Sequence, residues 1–385
     1  MLPKTLIGLL TSLLVVSGGM VLAQDALDET EQLLAELTNA HGVVGFEGEV
    51  RQILRREWSG MLTDLHTDGV GNLLGRAPGG NGGGPRVLLM AHMDEVGFLV
   101  RHIDADGFIY FNNVGGYFDQ SVLTQRLSIL TARGRVVGYT GMKSGHILRP
   151  SEREAMVPLE NMFIDVGARS RAEVEAMGIR PGLPIAYETE FVKLGNTGRY
   201  LAKAWDDRVG LAVITHVLQQ LGDHPNQVLV AATVQEEIGL RGAAVVEESL
   251  HPDIVINLEI GIAADFPLMT SPTLSQEALG NGPGIFVFDR SMIPNNQLIE
   301  WMIERASEQG VPIQFESVSG YGQDGAELQR SATGIPAVNI GIPTRYGHSQ
   351  SGVIDRADYD NTVKLVRLMV EGLSASAVEQ IRTFE

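Results

Sequence analysis

Two histidines and a set of carboxylates stand where runs of β-forming residues stop. VLLMAH ends in His92, with Asp94 two positions on and Glu95 behind it. VLVAATVQEE ends in Glu236 and Glu237, and IVINLEIG carries Glu259 near its end. AVNIGIPTRYGHS runs into a loop bearing His348, and LAKAWDDRVG places Asp206 and Asp207 just before a helical pattern. One acidic residue at a strand end is usually solvated punctuation. Five such ends in one chain point to a crevice beyond the carboxyl edge of a sheet, where open α/β folds collect functional groups.

The chemistry of the set is that of a metal site. The chain has no cysteine, so thiolate ligands and cysteine nucleophiles are excluded and a metal must be held by His, Asp and Glu. Two imidazoles and three carboxylates suit zinc, cobalt or manganese. An Asp can bridge two ions, leaving each with one His and one further carboxylate. Two ions close together hold a water and stabilise a developing oxyanion. Adjacent glutamates outside a helix face different ways, so one of Glu236 and Glu237 can bind metal while the other serves as general base.

The elements that must position these groups alternate along the chain. ETEQLLAELTN and GEVRQILRREW have helical periodicity, and from residue 196 onward helices such as DDRVGLAVITHVLQQ alternate with strands such as QVLVAATV and AVNIGI. This predicts an α/β fold, a mixed and largely parallel sheet flanked by helices. Between residues 96 and 195 the texture changes to short β-like pieces punctuated by Gly and Pro, which predicts a small inserted β-rich domain. The catalytic domain is then expected over 24–95 and 196–385. APGGNGGGP precedes a strand rather than a helix, so it is read as a hairpin connection and not as a phosphate cradle.

The 385 residues are 44% hydrophobic and 20% charged, with a formal net charge of −18. An acidic chain of this kind is not expected to bind nucleic acid, which needs a basic face. Residues 1–23 combine Lys4, an apolar run and the small-x-small site VLA, the pattern of a cleaved secretory signal peptide. Export to the periplasm or the exterior is expected, with no membrane attachment after cleavage. A core this large folds without disulfides even outside the cytosol.

AHMDEVGF, KAWDDRVG, VQEEIGLRGA and GIPTRYGHS, in this order with GNGPGI between the last two, closely resemble the tetrahedral-aminopeptidase and glutamyl-aminopeptidase family of dinuclear metallopeptidases. The resemblance covers nearly the whole chain after the signal. It implies a zinc-peptidase-like fold, two divalent ions per subunit (zinc or cobalt), and hydrolysis of N-terminal residues from short peptides. His92, Asp206 and Glu259 would hold one ion and Asp206, Glu237 and His348 the other, with a cis peptide between the bridging Asp206 and Asp207. Glu236 would be the general base, and Asp94 would orient the His92 ring. The insert would be a dimerisation domain, giving a homo-oligomer from dimer to dodecamer. Two features depart from the family pattern: Glu259 stands where an Asp is common, and a signal peptide is unusual in a mostly cytoplasmic family.

Other residues are read as structural or solvated: His41, His66, His102, His216, His224 and His251, with His146 on a surface loop and Trp205 and Trp301 in packing. Asp324 in GYGQDGAE resembles the family's Gly-rich segment at the active-site rim. The serine-hydrolase elbow Gly-x-Ser-x-Gly and the His-Glu-x-x-His motif are both absent. The alternatives that stay open are a dinuclear deacylase or carboxypeptidase, since fold and metals do not set substrate direction, and a non-catalytic exported binding protein.

Overall fold

The computed structural model describes residues 26–78, 83–269 and 275–384. The expected signal segment, 1–23, lies outside them. Helix α1 (Glu29–Asn39) begins with a reciprocal cap: the Asp28 carboxylate accepts the Glu31 N–H at 2.8 Å, and Glu31 accepts the Asp28 N–H at 2.9 Å. Its Leu33, Leu34 and Leu37 are buried, as are Val50, Ile53, Leu54 and Trp58 of α2 (Gly48–Trp58). Strands β1 (Thr63–Thr67), β2 (Leu73–Arg76) and β3 (Arg86–His92) follow.

After β3 the chain enters a closed six-stranded barrel. It contains β4 (Gly97–Ile103), β5 (Ile109–Val114), β6 (Arg126–Thr131), β7 (Gly134–Thr140), β8 (Ile164–Asp165) and β9 (Pro184–Tyr187), in the order β4-β5-β8-β7-β6-β9. Two short helices, α3 (Pro150–Glu154) and α4 (Arg171–Ala176), lie between β7 and β9. The barrel has its own core, in which Phe98 packs edge-on against Phe111 at 5.0 Å over Leu127, Ile129 and Ile185.

The chain then returns through β10 (Val192–Lys193) and β11 (Arg199–Ala202) to α5 (Trp205–Gln220), β12 (Gln227–Thr233), α6 (Val246–Leu250) and β13 (Ile254–Ile262). It finishes with β14 (Gly284–Arg290), α7 (Asn296–Glu308), β15 (Gln314–Tyr321), α8 (Gly325–Gln329), β16 (Ala337–Thr344), β17 (Gly352–Asp355), α9 (Arg356–Gly372) and α10 (Ala375–Thr383). The main sheet has the order β1-β2-β12-β3-β13-β16-β14-β15. Its four central strands, β12, β3, β13 and β16, are parallel, and β2 and β14 join them antiparallel. The mixed, largely parallel sheet read from the sequence is therefore present. Its central strands read as near-continuous apolar runs because both faces are covered. Helices α1, α2, α5, α7 and α9 pack on one face, and α6 and α8 on the other.

One expectation fails. β2 and β3 are not a hairpin, because β12 lies between them and pairs with both. Residues 79–82 of the Gly-rich loop lie outside the described set. Local composition identified a turn but could not show that a strand beginning 141 residues after the start of β3 (227 − 86) pairs between its arms.

Candidate active site

Register brings the strand ends level. Thr233 of β12 pairs with His92 of β3, and Asn257 of β13 pairs with Met90, which sets Glu259 beside His92. His92 is 1% exposed. Its Nδ1–H donates to the Asp94 carbonyl at 3.1 Å, so Nε2 faces Asp206 Oδ1 at 2.8 Å, with Glu259 Oε1 at 3.5 Å. His348 follows β16 in the left-handed region, φ 53°. Its Nδ1–H donates to the Gly116 carbonyl, in the loop after β5, at 2.9 Å. Its Nε2 faces Asp206 Oδ2 at 3.0 Å, with Glu237 Oε1 at 3.5 Å. Each oxygen of Asp206 thus meets a different imidazole.

Asp206 holds that position because the chain turns sharply before α5. Ala204 has φ 53°, Asp206 and Asp207 are non-helical, and the peptide between the two Asp residues is cis. The regular helix starts after them, and Asp207 Oδ1 accepts the Gly210 N–H at 3.0 Å as its cap. A Cβ at position 210 would lie 2.5 Å from the Asp207 oxygens, so this turn requires Gly210. On the opposite wall Gln235, at φ 56°, leads into the short turn Glu236–Ile238. The Asp94 carboxylate accepts the N–H groups of Glu236 and Glu237 at 3.0 and 3.1 Å and lies 3.6 Å from His92 Nδ1. Asp94 therefore orients His92 chiefly through its carbonyl, and its side chain aims the two glutamates, a task that the sequence did not indicate.

Two groups of side chains converge closely enough to share an ion: His92, Asp206 and Glu259, and Asp206, Glu237 and His348. Glu236, buried beside them, belongs to neither group. Electrostatics describe a site under stress. Burial, reinforced by the Asp206 charge, carries the Glu237 carboxyl up to about 8 and holds Glu259 well above the usual range. Burial likewise holds Glu236 well above it, with Asp324 and Glu237 adding to the effect. Burial opposes a charge on His348, yet the Glu237 and Asp206 carboxylates outweigh it and raise its pKa to about 10. The donors fit a pair of divalent cations. With each Nδ1–H committed to a carbonyl, each Nε2 is aimed at an Asp206 oxygen, where without an ion a proton on the imidazole bridges the pair and a bound cation would take that proton's place. Glu237 Oε1, buried and without a hydrogen-bond partner, adds to the donor set.

A buried ion group behind the site was not anticipated. Glu95 takes Lys203 Nζ at 2.7 Å and Arg208 Nη2 at 3.2 Å, while Arg208 Nε donates to the Met93 carbonyl at 2.9 Å. All three side chains are buried, so this group ties the His92 segment to the Asp206 segment. The only sequence signal was the repeated proximity of charge to the ligands, in DEV and KAWDDR.

Gly320, Tyr321 and Gly322 of the segment that contains Asp324 line the crevice, but Asp324 itself is 1% exposed, accepts the Thr233 hydroxyl and is not part of that lining. His41 and His216 are buried, and His216 pairs with the Tyr359 hydroxyl. Trp205 is a packing residue whose Nε1–H donates to the Gly352 carbonyl at 3.0 Å. Trp301 packs against the main core.

Comparison with known proteins identifies the family. The profile of the M42 glutamyl aminopeptidase family matches residues 71–365, and a second profile, AMPT, matches 28–54. The chain belongs to the M42 family. It is similar to the lysyl aminopeptidase of Pyrococcus furiosus, 31% identical over 89% of this chain and 97% of the relative. A crystal structure of a TET aminopeptidase from a marine-sediment Thaumarchaeota archaeon is 37% identical, with a TM-score of 0.88 over 92% of this chain and all of that one. The Pyrococcus horikoshii TET1 peptidase, described as assembling into a tetrahedron or a large octahedral shell, is 26% identical, with a TM-score of 0.79 over 89% of this chain and 99% of that one. As a member of the M42 family the chain is a metal-dependent aminopeptidase, and the barrel inserted in its sheet domain is part of the fold shared with these neighbours.

Proposed function

We propose that this protein is an exported two-metal aminopeptidase that releases N-terminal residues from short peptides. The observation that carries the reading is Asp206, whose two carboxylate oxygens each face the Nε2 of a different histidine. His92 and Glu259 would complete one ion's ligands, and Glu237 and His348 the other's, with Asp206 shared. When bound, the pair of ions would activate a water and stabilise the developing oxyanion. Glu236, buried and outside both ligand groups, would take the proton from the attacking water and hand it to the leaving amine. Asp94 would keep Glu236 and Glu237 pointing apart by holding both of their amides. Glu259, one methylene longer than Asp, comes within 3.5 Å of His92 Nε2, so the longer side chain reaches the site.

Export rests on the leader pattern of residues 1–23. N-terminal sequencing of the protein recovered outside the cytoplasm should begin at Gln24. Assembly, through the barrel, into a dimer or a larger shell rests on the likeness to the TET1 peptidase and on exposed Phe118, Met142, Ile147 and Met156 in the insert. Light scattering on the purified protein tests it, and a monomeric mass would exclude it.

The deciding experiment combines metal analysis with activity. About two ions per chain, and chelator-sensitive cleavage of aminoacyl anilides but not of their N-acetylated forms, is the expected result. Cleavage of blocked substrates only would transfer the reading to a deacylase or an endo-acting enzyme.

A further inference from the structure

The crevice continues past the carboxylates into an open cavity of about 590 Å³. Its charged lining groups, Asp206, Glu236, Glu237, Glu259 and His348, all stand at the ligand end. The rest of the wall is largely apolar or aromatic: Leu240, Ile262, Phe266, Met269, Tyr321 and Tyr346, with Phe266 and Tyr346 in ring contact at 5.1 Å. No lysine or arginine lines the cavity among the described residues. Two arginines adjoin wall residues in sequence: Arg241, exposed after Leu240 and outside the cavity lining, and Arg345, whose guanidinium is committed to Asp265, with Nε–Oδ1 at 2.7 Å and Nη2–Oδ2 at 2.5 Å. The Arg345–Asp265 pair is mutually neutralised and offers no counter-charge to a ligand.

From this lining we infer that the cavity selects a large uncharged first side chain, such as leucine or methionine, and discriminates against both glutamate and lysine. The inference rests on the aminopeptidase reading, which fixes the free amine at the acidic end and leaves the first side chain only this wall to occupy. A leucine or methionine side chain buries apolar surface against Ile262, Phe266 and Met269. A glutamate carboxylate would give up its water there with no donor to replace it, next to a site already crowded with acid. A lysine ammonium would be desolvated among the same apolar groups, out of partnership with Asp265, which Arg345 already occupies. On this inference, the glutamyl preference of the family and the lysyl preference of the Pyrococcus furiosus relative do not extend to this chain.

The test is kcat/KM of the metal-loaded enzyme on the p-nitroanilides of leucine, methionine, glutamate and lysine. Leucine and methionine should exceed both charged residues by at least ~10-fold, the scale on which a pocket separates side chains. Parity, or a preference for glutamate or lysine, overturns the inference. Ile262→Lys and, independently, Met269→Lys should raise the glutamate-to-leucine ratio by about 10-fold or more, and an unchanged ratio in both folded variants overturns it as well. Calorimetric binding of free leucine, glutamate and lysine reads the wall without catalysis. If no free-amine anilide is cut, the aminopeptidase reading fails, yet tighter binding of leucine still supports the apolar wall and tighter glutamate or lysine still refutes it.

Discussion

Glu236 and Glu237 are chemical twins separated by one peptide bond, and their surroundings differ. Glu237 Oε1 lies 3.5 Å from His348 Nε2 within a ligand group, whereas Glu236 stands apart, buried beside the crevice. Glu236→Gln should therefore retain its metal and lose activity by roughly 10²–10⁴-fold, the usual contribution of a general base. Elemental analysis with steady-state kinetics checks this, and loss of metal from that variant would mean that the two roles are exchanged. Asp206→Asn should lower occupancy of both ion sites at once, because one carboxylate serves both histidines. Two tightly held ions with near-wild-type turnover in that variant would rule out the bridge.

At the scale of elements, the site depends on how two loops are tied together. Glu95 after β3 and Arg208 at the start of α5 meet inside the protein with Lys203, whose ammonium burial holds down at about 8. Glu95→Gln leaves two buried cations without a counter-charge and should cost about 3–5 kcal/mol, measurable by denaturant unfolding. The turn between α1 and α2 contains His41, 2% exposed, with neither ring nitrogen hydrogen-bonded. Burial depresses its pKa from 6.5 to about 4. Between those values the unfolded chain binds a proton that the folded one does not, so stability is complete above pH 6.5 and falls as pH drops toward 4. The loss amounts to at most about 3 kcal/mol. His41→Leu should flatten that part of the stability–pH curve, and an unchanged slope would exclude the assignment. The helices α1, α2, α5, α7 and α9 were legible from periodicity. Strands β1, β11 and β17, with the sequences TDLHT, RYLA and GVID, were not, because segments of four or five residues carry too little pattern to separate strand from loop.

For the whole molecule, metal bound in the crevice would be linked to stability. Asp206, Glu236, Glu237 and Glu259 converge where burial already raises three of the four carboxyls. Ions bound there should stabilise the native state by mass action, so chelation should lower Tm by about 5 °C or more and readdition should restore it. A Tm indifferent to chelator would argue against metal in this crevice. What the sequence determined by itself was the chemistry: no cysteine, two histidines and three carboxylates at strand ends, and a helix–strand alternation that brings such ends together. Those features are local, written in residue type and period. What only the tertiary structure decided was the insertion of β12 between β2 and β3, the burial of Asp324, the clasp of Glu95 on Lys203 and Arg208, and the apolar wall of the cavity. Each joins segments far apart in the chain, and the pairing of distant segments is set by how whole faces pack, which no local pattern encodes.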